Sequence, residues 1–135
     1  MKFKFRRWAV AAVLLTSAIT AFAQPIGFTS LNRKQGFPAL LEHRAQFTDK
    51  ISGVLNYPAG ATGQVPAMVI MHSSGGINAT TWEWSNYFLQ MGIATFVVDS
   101  FTPRGILSSA ADQAQLGYAA STTDALLALK VVAAQ

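Results

Sequence analysis

The chain contains no cysteine. That excludes disulfide staples, thiolate nucleophiles and cysteine metal ligands from these residues, so stability has to come from core packing. An excess of charge of one sign is also missing once the N-terminus is set aside. Of the ten Lys and Arg, Lys2, Lys4, Arg6 and Arg7 fall at the very start, and the other six meet six Asp and Glu. The sequence pI of about 9.8 therefore belongs to the leader. It gives no ground for a nucleic-acid or acidic-surface partner. Internal repeats and low-complexity tracts are absent too.

What is present begins with a leader. The four basic residues precede an apolar stretch from Trp8 to Thr20, and Ala21-Phe22-Ala23 offers a small-residue cleavage site. This is the pattern of a secretory signal peptide over residues 1–23, with an apolar segment short for a bilayer crossing. It predicts a periplasmic or secreted protein with no stable membrane anchor after cleavage; an uncleaved N-terminal anchor is the alternative. A lipoprotein anchor would need a cysteine. The remaining 112 residues can bury roughly 65% of their unfolded surface, enough for one small domain.

Residues 24–46 read as an irregular N-terminal extension, broken by Pro25, Gly27, Gly36 and Pro38, with a short "ALLEHRA" able to form a helical turn. "FTDKISGVLNY" alternates loosely, as one or two antiparallel strands ending at Pro58-Ala59-Gly60. "AMVIM", from Ala67, is a continuous apolar run expected of a strand covered on both faces. Thr80-x-x-Glu83 then offers a capping box. Trp84, Tyr87, Phe88 and Met91 recur at helical spacing as an apolar stripe, closed by Gly92. "IATFVV" is a second buried run ending at Asp99, so the order strand, helix, strand predicts a βαβ unit with two parallel strands. Near the end, Ser121-x-x-Asp124 is placed to cap a helix over "ALLALKVVAA".

Chemistry in an α/β sheet gathers at the carboxyl ends of parallel strands, where loops and helix N-termini meet. His72-Ser73-Ser74-Gly75-Gly76 follows the first strand, and Asp99-Ser100-Phe101-Thr102-Pro103-Arg104-Gly105 follows the second. Small residues and two glycines let backbone amides approach a ligand, and the following helix adds partial positive charge. Such a loop suits an oxyanion and is a variant of the HGGG-type motif. Asp99 reads as a cap on its own loop. His43 lacks a partner pattern and reads as a surface residue, as a lone histidine usually does.

"PAMVIMHSSGG", a Trp-bearing helix and "GIATFVVDSFTPRG" occur in the order found in secreted members of the dienelactone hydrolase family, which the stretch from about Ile51 to Gln135 resembles. The resemblance implies residues 47–135 to be the N-terminal part of an α/β-hydrolase domain: a mainly parallel sheet with flanking helices, lacking the C-terminal half. It implies cleavage of a small-molecule ester or lactone by a Ser or Cys nucleophile, a His base and an Asp, without metal or cofactor. Carried over by position, Ser73 and Ser74 would give backbone amides to the oxyanion. His72 would shape the substrate-binding loop, and Arg104 would meet a substrate carboxylate at the rim. Ser73 stands where the family often has glycine.

No G-x-S-x-G or G-x-C-x-G elbow occurs in the chain, so the hydroxyls of Ser73 and Ser74 are not the nucleophile. In the family the elbow follows a helix like "TTDALLALKVVAA", with the acid and base later still, which places all three past Gln135. The expectation is an enzyme portion inactive alone, with no catalytic residue of its own and an apolar sheet edge at "AMVIM" open to self-association. The alternative is a small non-enzymatic periplasmic protein that binds a ligand or partner.

Overall fold

A computed structural model of the protein describes residues 23–135. The expected signal peptide, Ala23 apart, lies outside the described residues. The elements run β1 (Gln24–Leu31), α1 (Phe37–Leu41), β2 (Phe47–Asn56), β3 (Ala67–Met71), α2 (Ala79–Gln90), β4 (Ala94–Asp99) and α3 (Tyr118–Ala133). The strands form one sheet in the order β1-β2-β4-β3.

The mainly parallel sheet of an α/β-hydrolase is not what forms. β1 pairs with β2 antiparallel, β2 with β4 antiparallel, and only β3 with β4 parallel. Parallel pairing needs a long crossover, and among the described residues only α2 provides one between paired strands. The architecture of the described residues is a mixed, mostly antiparallel four-stranded sheet with three helices. The βαβ unit over β3, α2 and β4 forms as expected.

The N-terminal stretch expected to be irregular supplies β1, in register with β2 so that Phe28 faces Ile51. Pro25 and Gly27 read as breakers, yet β1 is an edge strand, where a missing ladder donor is tolerated. One face of the sheet, with Ile51, Leu55, Phe96 and Val98, packs against α3 through Ala128. Gly53 lies under the Phe96 ring, where a Cβ would stand 2.4 Å from the ring edge. Glycine is needed there for room.

On the other face, α2 turns a different side inward than its apolar spacing predicts. Its buried residues are Thr81 and Ser85, and the Ser85 and Thr95 hydroxyls share a 2.6 Å hydrogen bond. Trp84, Tyr87 and Met91 are more than half exposed, and Trp84 packs instead on Tyr87 and Phe88, 5.8 and 6.1 Å between centroids. Small side chains bring the helix close to the sheet, and the rings satisfy one another outside. The N-cap is Asn78, whose side chain accepts from the Thr81 amide while its own backbone amide donates to the Thr81 hydroxyl, rather than Thr80 with Glu83. Gly92 closes the helix at φ 79°, as its position predicts.

Candidate functional site

The two loops expected to form one site do meet. β3 and β4 are parallel neighbours, so the loops after Met71 and Asp99 leave the sheet side by side. The Ser100 amide donates to His72 Nε2 at 3.2 Å, and the His72 and Phe101 rings meet edge to face at 4.3 Å. His72 Nδ1 lies 2.8 Å from the Ser73 carbonyl. Because Nε2 accepts, Nδ1 must carry the proton and donate. Both ring nitrogens are thereby committed to the backbone. His72 ties one loop to the other.

Ser73 to Gly76 is a tight turn. The Gly76 amide donates to the Ser73 carbonyl at 3.0 Å, and the two residues bridge across it. Gly76 takes the left-handed backbone at φ 78°, while Ser73 does not. The Ser74 carbonyl is fixed from outside by the Ser109 amide at 2.8 Å and the Ser108 hydroxyl at 3.0 Å. The Ser74 amide has no acceptor among the described residues. That leaves it available to a ligand. Ser73 and Ser74 border a cavity of about 120 Å³ with Ser100, Phe101 and Ser121.

Arg104 is elsewhere. Its side chain is 3% exposed and points away from the rim, into a polar knot between β1, β2 and α3. Nη1 and Nη2 grip Asp124 at 2.6 and 3.0 Å, and Nε reaches Asp49 at 2.7 Å. Further donors meet the Ser100 and Leu31 carbonyls at 3.0 and 3.1 Å. Burial acts to lower its pKa, but the hydrogen bonds to Asp124 and Asp49 and their charges outweigh that and hold it above the ordinary value. The carboxylates it meets belong to its own chain, so no donor is left for the carboxylate of a substrate. That corrects the rim assignment.

The acid of this knot, Asp124, is not the helix cap that its spacing from Ser121 predicts. Asp124 is instead fully buried inside α3, which begins earlier, after Gly117. Ser30, also fully buried, donates to it. A signal was available: Ala120, Asp124 and Ala128 lie at intervals of four and are all wholly buried, and an acid on a small-residue stripe needs a cation. Asp99 does cap its loop, accepting from the Phe101 and Thr102 amides at 3.0 and 2.8 Å. His43 is exposed.

The described residues hold no group of three or more His, Cys, Asp and Glu suited to a metal ion. None of their helices is long and apolar enough to cross a membrane. Comparison with protein-family models and with curated proteins gives no match for the chain.

Proposed function

We propose that this chain supplies the oxyanion-binding loop of an exported hydrolase of ester or lactone bonds, resembling the dienelactone hydrolases, and is inactive by itself. One observation carries the reading: in a braced turn before α2 the Ser74 amide has no acceptor among the described residues, and Ser74 is one of the residues around a small cavity. Preorganised backbone donors of this kind stabilise the charge that develops on an ester carbonyl. The sheet lends no weight to it; the loop alone does.

Inactivity follows from the same geometry. A serine nucleophile needs a histidine free to take its proton. His72 spends both nitrogens on backbone groups, and His43 is exposed with no hydrogen-bonded carboxylate among the described residues. A nucleophile and base have to come from other residues.

Two measurements test this. The purified chain should turn over activated esters no faster than a His72→Ala, Ser74→Ala double variant; faster turnover contradicts the inactivity. Reading the coding DNA past the Gln135 codon tests the enzyme assignment. An in-frame G-x-S-x-G or G-x-C-x-G elbow supports it, and an immediate stop codon sinks it.

A second reading, a small binding or interaction protein without enzymatic activity, is favoured by the exposed rings of Trp84 and Tyr87 on α2. A soluble monomer with a cooperative melt would support it.

A further inference from the structure

The core between the sheet and α3 does not close where β3 and β4 begin. Ala67 and Ala94 stand there side by side in register. With Leu55, Tyr57, Leu129 and Val132 they line a cavity of about 670 Å³. Leu55 belongs to the buried core cluster, and Tyr57 and Val132 pack against it, so the cavity continues the core. The two alanines and Gly63, on the loop before β3, leave room that larger side chains would take up. His72 and Asp99 lie at the other end of the same strands.

The walls decide what fits. Among the described residues no Lys, Arg, His, Asp or Glu lines this cavity, so an ionic guest would give up its water and meet no counter-charge. Leu55 and Ala94 are buried, while Leu129 is half exposed at the lip. Water against such walls finds few hydrogen-bond partners, and an apolar group that displaces it gains. The polar residues of the lining, Tyr57, Gln64 and Gln135, are all neutral, and Gln135 Nε2 is spent on the Val131 carbonyl at 3.1 Å. The volume is that of a pocket for a small organic molecule. It is too small for a folded partner.

From this we infer that the cavity binds an uncharged, mainly apolar small molecule that carries at most a neutral polar head. The site is separate from the His72 loop and does not depend on what that loop does. It gives the chain a binding function that needs no nucleophile.

1-Octanol and octanoate, titrated separately into the full chain and followed by methyl and amide NMR, provide the test. The alcohol should shift the Leu55, Ala67, Leu129 and Val132 signals saturably and leave Ser73 and Ser74 unmoved. Octanoate should bind at least about tenfold more weakly. From 1-butanol to 1-octanol the affinity should rise about three- to fourfold for each added methylene. Ala67→Phe, at an exposed strand start, takes up part of the cavity and should weaken 1-octanol at least about fivefold. Leu129→Ser removes apolar wall at the half-exposed lip and should weaken it about threefold. The two variants change the volume in opposite directions, and an unchanged urea midpoint shows that each still folds. Equal binding of octanoate, an affinity indifferent to chain length, or an unchanged affinity in either variant overturns the inference. Shifts confined to Trp84 and Tyr87 overturn it too, by placing the apolar site on α2. Cavity signals that move with protein concentration, or that show contacts to Leu14 and Leu15 of the leader, make a second copy or the leader the occupant and likewise overturn it. All these outcomes leave the Ser74 loop reading to its own test.

Discussion

Arg104 Nη1 lies 2.6 Å from Asp124 Oδ2, with the two side chains 3% and 0% exposed. This pair, with Asp49 and Ser30, connects the loop after β4 to α3, β2 and β1. Removing one partner of such a buried pair leaves the other charge without compensation, at a cost of about 3–5 kcal/mol. Asp124→Ala should therefore lose most of the stability of a small domain, seen as a collapse of the urea midpoint. Arg104→Lys should not rescue function of the knot, since an ammonium cannot make the forked contact.

The pH dependence of this knot has a defined sign. The Arg104 pKa is raised in the folded chain, so its contribution is fully present below the unfolded value and is lost only as pH rises through the folded one. That window lies in strong alkali. Urea midpoints between pH 7 and pH 10 should show no loss that Arg104→Met abolishes; a loss of that kind in this range would contradict the assignment.

The Asn78 cap separates what the sequence suggests from what the backbone does. Asn78→Ala should cost about 1 kcal/mol, whereas Thr80→Ala and Glu83→Ala should change the urea midpoint little. Equal losses from all three variants would mean that the helix starts elsewhere.

Much of the central unit was legible. Five consecutive residues of β4, Ala94 to Val98, are buried, and Gly92 ends α2 where its spacing says it should. The loop at His72 was legible because glycines and a strand end coincide there. β1 was not, since Pro25 and Gly27 read as breakers unless the strand is known to be an edge. Nor was the inward face of α2: apolar periodicity points to Trp84 and Tyr87, while pairing of Ser85 with Thr95 depends on a partner ten residues away. Arg104 was misplaced for a similar reason. Its partners Asp49 and Asp124 are distant in sequence, and a motif names a residue without saying which way it turns.

That Ser85 to Thr95 bond can be isolated. Ser85→Ala strands the buried Thr95 hydroxyl and should cost about 1–3 kcal/mol. Adding Thr95→Val removes both hydroxyls while keeping the shape, and most of the loss should return. A double variant as unstable as the sum of the singles would show that the two residues act independently.

Among the described residues β3 is paired on one side only, by β4, and stands at the sheet edge with Met68 38% exposed. Its outer backbone groups form an open template for another strand, and no charged side chain on β3 blocks it. On α2 and at its C-cap, Trp84, Tyr87 and Met91 add exposed apolar surface. Sedimentation of the purified chain should accordingly show association that grows with concentration. Met68→Lys places a charge on the edge and should shift the distribution towards monomer. Trp84→Ser with Tyr87→Ser separates the two surfaces: if these changes alone abolish association and Met68→Lys has no effect, the helix patch is the contact and the strand edge is not. A chain that stays monomeric at every concentration would instead favour the binding-protein reading over an enzyme portion with a bared edge.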